Sequence, residues 1–270
     1  MADIADRTGF VGCGEMGFMV LAAALEAGVL EASATVVAER DPSRHARLTD
    51  RGVSVVTSPG ELPWCDRVIM AVRPQQFAEA AAELGRDDRG RLVVSVMAGI
   101  GSDSIREALG ETTRVICVMP NAPVRVREGM SVLMPASSAT PADLDLAGSL
   151  FGTIGATAEL PESALWGVTA VSGSGPGYVA FMAEAMVAAA VDVGIDPEVA
   201  AILVSQTIAG TGRLLIEGDL DAAALRQAVA TPGGTTEAGL GAMVDRDFPE
   251  TIRAAVRAAR DRGQQLADGQ

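Results

Sequence analysis

The segment Gly12-Cys-Gly14-Glu-Met-Gly17 constrains the fold of this chain more than any other feature of its sequence. Its G-x-G-x-x-G pattern directly follows the apolar run GFV and opens the helical stretch EMGFMVLAAALEAG. Glycines at these positions let the backbone approach a pyrophosphate, whose charge then meets free N–H groups at the start of the helix. A strand, a glycine turn and a helix in this order predict a dinucleotide-binding domain of the Rossmann type.

The glycine turn predicts five cofactor contacts: Gly12, Gly14, Glu15, Met16 and Gly17. Glu15 is an unusual member of this set, because a carboxylate at the helix start competes with the phosphates unless it points to solvent. The alternative interpretation of the segment is a tight turn without a ligand.

The end of the second predicted strand, TVVAE, carries the residues that would distinguish the two dinucleotides. Glu39 can bind an adenosine ribose diol, which favours NAD. Arg40 follows directly and Arg44 lies one turn on, and either can pair with a 2′-phosphate, which favours NADP. NADPH and NADH both stay open as cofactors, and a solvated charged face is the alternative for the two arginines.

The order of predicted elements indicates two domains. The predicted strands lie in GFVGCG, TVVAE, VSVV, RVIMAV, RLVVSVMA, VICVMP and MSVLMP. Helical stretches separate them, which predicts βαβ units and a mainly parallel sheet. From about residue 161 helical periodicity dominates, at 177–193, 197–216, 221–230 and 249–266. We therefore predict an α/β Rossmann-type domain over residues 1–160 and an all-α domain over residues 161–270.

Composition narrows the possible partners. A formal net charge of −14 argues against nucleic acid or an anionic membrane surface. The cysteines, Cys13, Cys65 and Cys117, show no pairing pattern, and no signal peptide opens the chain, so we expect a cytoplasmic protein. The long apolar stretch GVTAVSGSGPGYVAFMAEAMVAAAVDVGI contains Gly, Pro, Ser and two carboxylates, which predicts a buried helix of a soluble protein rather than a membrane span.

The residues that are missing restrict the chemistry. The chain has no lysine, and its one histidine, His45, lies in the charged stretch ERDPSRHAR. Catalysis by lysine or histidine is nearly excluded, and we expect no metal site. An imine suits such a chain as hydride acceptor, because it can arrive already protonated and needs hydrogen-bond donors rather than a strong acid.

The late segment TPGGTTEAGL, residues 231–240, offers donors of this kind. Gly234 or Thr235 would cap a helix through Glu237 and Leu240, leaving N–H groups free for an anion. Thr236 would project a hydroxyl into the same pocket. From the residues alone, a capped corner without a ligand is an equally good interpretation.

Several segments together resemble the pyrroline-5-carboxylate reductase family. They are GFVGCGEMG, AVRPQ, SVMAG, MPNAP, VSGSGPGYV and TPGGTTEAGL, in the same order over essentially the whole chain. The resemblance implies NAD(P)H-dependent reduction of the cyclic imine Δ1-pyrroline-5-carboxylate to L-proline. It also implies that the helical domain dimerises, with each active site at the subunit interface and a higher oligomer of dimers as an option.

The resemblance also assigns roles by position. Thr236 matches the threonine that bonds the substrate nitrogen, and Thr231, Gly234 and Thr235 match the loop that holds the substrate carboxylate. Thr169 matches a further hydroxyl on the substrate side. Positions that match the nicotinamide half of the cofactor site are Ala71, Val72, Arg73, Pro74, Val96, Ala98, Met119, Pro120 and Asn121.

Departures from the family pattern keep three alternatives open. Glu15 stands where the family usually has Asn, and Cys117 where it usually has Arg. The first alternative is a reductase of a different or substituted cyclic imino acid. The second is a β-hydroxyacid-type dehydrogenase, which the missing lysine disfavours. The third is a dinucleotide-binding sensor without turnover.

Overall fold

A computed structural model describes residues 7–267 of the chain. It divides into two compact units. One contains the residues up to Gly173 together with those from Ala259 onward, and the other comprises Ser174–Ala258. A domain boundary after residue 160 stays a prediction.

The first unit is organised around an eight-stranded sheet with the order β3-β2-β1-β4-β5-β6-β7-β8. The strands are β1 (Thr8–Val11), β2 (Thr35–Ala38), β3 (Ser54–Val56), β4 (Arg67–Met70), β5 (Leu92–Ser95), β6 (Arg114–Met119), β7 (Gly129–Pro135) and β8 (Gly155–Glu159). Strands β1 to β6 pair in parallel, β7 pairs antiparallel to β6, and β8 pairs parallel to β7. The first six strands have the Rossmann order, so the predicted fold class is confirmed.

Helices follow most strands of this unit. They are α1 (Glu15–Glu26), α2 (His45–Thr49), α3 (Phe77–Leu84), α4 (Ser102–Leu109), α5 (Pro141–Gly152) and α6 (Leu165–Val168). The central strands are covered on both faces, because alternate residues enter two separate hydrophobic clusters. Leu92 and Val94 belong to one cluster and Val93 to the other. Continuous apolar runs such as RLVVSV are typical of strands buried in this way.

Two features of the sheet differ from the prediction. The prediction of a mainly parallel sheet did not specify that β7 runs antiparallel. The strand β8 was missed, because its sequence GATAE has no apolar run and its residues are partly or fully exposed.

The second unit is helical, as predicted. Its helices are α7 (Gly175–Asp192), α8 (Pro197–Glu217), α9 (Ala222–Val229) and α10 (Thr235–Val244), and α11 (Phe248–Ala267) begins in this unit. Gly194 ends the turn after α7 with φ +93°, and Asp196 caps α8 by accepting the N–H groups of Glu198 and Val199. The break between the helices predicted at 177–193 and 197–216 is confirmed.

The prediction of a buried helix in the long apolar stretch is wrong for the single chain. No residue of α7 is buried, and within Ser174–Ala258 only Ala200 and Val204 are. By length and composition alone, Glu162–Asp192 and Pro197–Glu217 would suffice to cross a membrane. The expected lack of a membrane partner stays a prediction.

Candidate functional site

The glycine turn lies between β1 and α1, and its glycines are there for steric reasons. Gly12 has φ +77°, and a Cβ built on it would lie 2.7 Å from Cγ1 of Val72. A Cβ on Gly17 would lie 3.0 Å from Cβ of Ala71. The first glycine therefore allows the tight turn, and the third allows α1 to pack closely on the segment after β4.

The start of α1 is open to an anion. Gly14 precedes the helix in an extended conformation and no side chain caps it, so the N–H groups of the first turn keep no intrahelical partner. Glu15 is 63% exposed and forms an ion pair with Arg47 at 3.1 Å. Its carboxylate is thus neutralised from the α2 side, which resolves the conflict expected between Glu15 and a pyrophosphate.

A cavity of about 560 Å³ opens at the carboxyl ends of β1, β2, β4 and β5. This edge, where the strand order reverses, is where open α/β sheets bind ligands. Ten predicted cofactor residues line it: Gly12, Gly14, Glu15, Met16, Glu39, Arg40, Ala71, Val72, Arg73 and Val96. The structure therefore brings together residues that the sequence separates by more than eighty positions.

The acidic residue at the end of β2 is buried. The Glu39 side chain is 6% exposed, its Oε2 accepts the N–H of Cys13 at 2.9 Å, and its Oε1 accepts the N–H of Asp41 at 3.0 Å. Arg44 Nη1 lies 3.3 Å from Oε2. Glu39 lines the cavity, but both of its oxygens have protein donors.

The arginines at the same end of the cavity are also paired. Arg40 binds Glu79 at 2.9 Å and also binds Glu83, both on α3. Arg44 contacts Asp41 at 3.4 Å in addition to Glu39. The pairs of Arg40 are exposed enough to hold its guanidinium only weakly, so Arg40 can exchange partners for a phosphate, whereas Arg44 also contacts the buried carboxylate of Glu39.

Six predicted cofactor residues lie outside the cavity lining: Gly17, Pro74, Ala98, Met119, Pro120 and Asn121. Gly17 serves helix packing, as described above. Asn121 bridges backbone segments, since its Nδ2 donates to the Ser172 carbonyl oxygen at 3.2 Å and its Oδ1 accepts the Met130 N–H at 2.8 Å. A cofactor role for these six residues stays a prediction.

Sequence reasoning missed several lining residues, including Cys13, Asp41, Pro59 and Gln76. Cys13 occupies a variable position of the glycine pattern, so its side chain carries no signal. Asp41 did carry a sequence signal: it precedes Pro42 shortly after β2, and it caps the short turn there by accepting the Ser43 N–H at 3.0 Å.

The threonine-rich loop belongs to the second unit. Gly234 precedes α10 in an extended conformation with no side-chain cap, so the first N–H groups of α10, including those of Thr235 and Thr236, are open. A Cβ on Gly234 would lie 2.5 Å from Oγ1 of Thr231, so this position requires glycine. Glu237 Oε2 accepts the Gly233 N–H at 2.7 Å. The predicted helix start with free amides is confirmed, and the substrate roles of its residues stay predictions.

Thr169 begins a π-helical turn, Thr169–Gly173, that runs into the start of the motif VSGSGPG. Its Oγ1 donates to the Leu165 carbonyl oxygen at 2.8 Å. Such turns within helices are frequent at functional sites. The hydroxyl thus donates within the protein and keeps its acceptor lone pairs, which the predicted contact with substrate would use.

The reactive side chains of the chain do not offer an alternative chemistry. Burial raises the pKa of the Cys13 thiol to about 12, and burial together with Glu162 raises that of Cys117 to about 12. His45 Nε2 lies 2.7 Å from the Glu39 carbonyl oxygen. Among residues 7–267, no cluster of three or more metal-ligating side chains occurs. The thiols stay protonated near neutral pH, which excludes a thiolate nucleophile.

The fold, the glycine turn and the cavity at the strand ends define a Rossmann-type dinucleotide-binding protein. Two family models match the chain: that for pyrroline-5-carboxylate reductase dimerisation over residues 162–266, and that for coenzyme F420-dependent NADP oxidoreductase over residues 7–99. The pyrroline-5-carboxylate reductase of Thermus thermophilus is 36% identical over 98% of this chain and 100% of its own length. That of Mycobacterium tuberculosis is 35% identical over 96% of each chain. The chain belongs to the pyrroline-5-carboxylate reductase family.

Solved structures agree with this assignment. A pyrroline-5-carboxylate reductase from Coxiella burnetii matches with a TM-score of 0.92 and 28% identity over 97% of this chain and 98% of that one. A Plasmodium falciparum pyrroline carboxylate reductase with NADP bound matches with a TM-score of 0.83 and 26% identity, over 97% of this chain and 98% of that one. The resemblance seen in the sequence motifs is confirmed.

Proposed function

We propose that this protein reduces Δ1-pyrroline-5-carboxylate to L-proline with NADPH or NADH. The observation that carries the proposal is the open start of α10, where free N–H groups and the hydroxyls of Thr231, Thr235 and Thr236 occur in one loop. Membership of the pyrroline-5-carboxylate reductase family supports the assignment of this loop as the substrate site.

The residues present fit a dinucleotide. A Cβ at Gly12 would clash with Val72, and the first turn of α1 presents uncapped N–H groups beside the cavity. Gly14, Glu15 and Met16 would hold the pyrophosphate through their backbone N–H groups. Ala71, Val72, Arg73 and Val96 would line the nicotinamide half of the cofactor site. When bound, the reduced nicotinamide supplies a hydride.

The protein's own contribution is positioning. The N–H groups at the start of α10 would hold the substrate carboxylate, and the Thr236 hydroxyl would bond the ring nitrogen. The threonine hydroxyl is too weakly acidic to give up its proton unaided, so the imine would arrive protonated and leave as the amine. The absence of lysine and the engagement of His45 are consistent with a site that needs no strong acid.

A steady-state assay tests the proposal. Purified protein should oxidise NADPH or NADH only when Δ1-pyrroline-5-carboxylate is added, with proline as the product. If it turns over only a substituted cyclic imino acid, the substrate assignment is wrong and the reductase assignment stands. Turnover of 3-hydroxy acids, or tight cofactor binding with no imine reduction, would overturn the reductase assignment.

We further propose a cytoplasmic homodimer joined through α7 and α8. Both helices present large apolar side chains to solvent in the single chain, with Phe181 73% and Ile202 69% exposed. Large exposed apolar patches mark interaction surfaces. The cysteines, all free and buried, are consistent with a reducing compartment.

A further inference from the structure

The backbone N–H group and the carbonyl oxygen of Cys13, in the glycine turn, both form hydrogen bonds with side chains. The N–H of Cys13 donates to Glu39 Oε2 at 2.9 Å, and its carbonyl oxygen accepts a bond from Arg47 Nη2 at 3.0 Å. Glu39 directly follows β2 and Arg47 lies on α2, so both side chains come from the segment that follows β2. Two charged side chains from the segment after β2, Glu39 and Arg47, therefore hold the backbone of the glycine turn.

Both carboxylate oxygens of Glu39 are engaged by the protein in this arrangement. Its oxygens accept the N–H groups of Cys13 and Asp41, and Arg44 pairs with it. Its side chain is 6% exposed. A carboxylate that binds a ribose diol must present its oxygens to the ligand, and each oxygen of Glu39 already accepts a hydrogen bond from a backbone N–H group.

Arg47 has a second effect on the turn. It pairs with Glu15, the acidic residue at the start of α1, and its guanidinium lies 4.3 Å from the ring centre of Phe18 on the same helix. Arg47 therefore joins α2 to α1 at two points, Glu15 and Phe18, and to the glycine turn at Cys13, and it offsets the negative charge nearest to the phosphate-binding amides.

We infer that Glu39 and Arg47 form a clamp on Cys13 that holds the glycine turn in its cofactor-binding conformation. In this Cys13 clamp Glu39 is a positioning residue and does not contact the adenosine ribose. A turn already held in the bound conformation loses less conformational freedom on binding, so the clamp raises the affinity for the cofactor. Its contribution is the same for NADPH and NADH, because it acts on the pyrophosphate-binding backbone that both share. The inference rests on the proposed binding of the dinucleotide in the cavity.

The variant Glu39→Gln tests the clamp. Glutamine keeps the size of the side chain and one acceptor, but its NH₂ group must face one of the two backbone N–H groups. We expect the dissociation constants of NADPH and NADH, measured by cofactor fluorescence, to rise together by about tenfold, the loss of one charged hydrogen bond. Their ratio should stay within about twofold of the wild-type ratio. The effect on turnover should appear mainly in KM for the cofactor rather than in kcat.

Glu61→Gln is the matched control. Glu61 also accepts a backbone N–H, that of Thr57 at 3.1 Å, but it does not line the cavity. Its variant should leave both dissociation constants unchanged. Arg47→Gln provides a second arm that leaves the Glu39 bonds in place, and it should also raise both constants.

Three results would overturn the inference. A loss of NADH affinity with NADPH binding intact would make Glu39 a ribose ligand. Unchanged affinities in both Glu39→Gln and Arg47→Gln would show that the turn needs no clamp. A lower melting temperature with unchanged affinities would show that the two residues act on stability alone. Failure of the proposed function is distinguishable, since it would appear as a loss of imine turnover in the wild-type protein, whereas the clamp is measured by the dissociation constants of the cofactors.

Discussion

Thr236 is the side chain on which the proposed chemistry depends most. It is the second residue of α10 and is exposed. We expect Thr236→Ala to lower kcat by roughly one to two orders of magnitude, a typical loss for a positioned hydrogen-bond donor. The measurement is steady-state kinetics with Δ1-pyrroline-5-carboxylate at saturating cofactor.

Two further variants separate loss of the hydroxyl from loss of packing. Thr236→Ser keeps the hydroxyl and should retain most of the activity. Thr49→Ala removes an exposed hydroxyl of α2 that bonds only backbone carbonyl groups, and it should leave kcat unchanged. Wild-type kinetics in Thr236→Ala would remove this residue from the mechanism.

The buried thiols predict a loss of stability at high pH. Burial raises the pKa of Cys13 and of Cys117 from 9.0 to about 12. Between these values the unfolded chain releases protons that the folded chain keeps, so the free energy of unfolding falls as the pH rises from about 9 toward 12. The absence of lysine and the presence of one tyrosine leave few other groups that titrate in this window.

Denaturant titrations at several pH values measure this effect. Cys117→Ala should reduce the slope of stability against pH by about one proton equivalent. Val115→Ala, at a buried position on the same strand, should lower stability at every pH and leave the slope unchanged. Equal slopes in wild type and Cys117→Ala would contradict the prediction.

Glu39 shows what a single sequence does not reveal about a site. Its position at the end of the second predicted strand suggested a contact with the cofactor, and in the structure it lines the cavity. Its bond to Cys13 joins residues 26 positions apart, and it depends on how closely β2 approaches the glycine turn. Residue type and spacing therefore located the carboxylate, but the direction in which it points came only from the packing.

At the level of elements, a contact near the end of α11 depends on one glycine. Gly263 is buried in α11, and a Cβ there would lie 2.4 Å from Cε3 of Trp166. Alanine usually stabilises a helix relative to glycine, but here it must displace an aromatic ring. We expect Gly263→Ala to lower the free energy of unfolding by about 1–3 kcal/mol, as overpacking does. Thermal and denaturant unfolding would measure it.

Gly152→Ala is the control for the prediction at Gly263. Gly152 ends α5, and nothing lies within 4 Å of a Cβ built on it, so the same substitution should be neutral or mildly stabilising. Replacing Trp166 by leucine in the Gly263→Ala background should recover part of the loss, since the two residues are in contact. A stabilised Gly263→Ala variant would show that α11 is not packed against the ring.

The elements themselves were predictable to different degrees. Strands β1 to β6 were found because their apolar runs are bounded by glycine and polar residues, and α7 and α8 because their periodicity is long. The strand β8 was missed because an exposed edge strand needs no apolar residues. The turn before α10 was predicted correctly because the steric and hydrogen-bonding preferences of glycine and threonine depend only on the neighbouring backbone.

At the scale of the whole molecule, the sequence predicted apolar helices but not what covers them. The apolar stretch was expected to be buried within the chain, yet α7 has no buried residue. Hydropathy measures the tendency of a side chain to leave water, and a partner subunit satisfies that tendency as well as the chain's own core does. Burial by a second copy cannot be distinguished from burial by the chain itself on the basis of composition.

The dimer proposal leads to a prediction for Ile202, which lies on α8 and is 69% exposed. A charge there would be buried without a partner in the proposed interface, so Ile202→Asp should give a monomer by light scattering. Because the family resemblance implies an active site at the subunit interface, the monomer should also lose turnover.

Leu160→Asp is the matched control, since Leu160 is 41% exposed and lies outside the region that matches the dimerisation family. It should stay dimeric and active. A monomeric wild-type protein with full activity would contradict the proposed interface, whereas a dimeric Ile202→Asp variant would place the interface on another face of the helices.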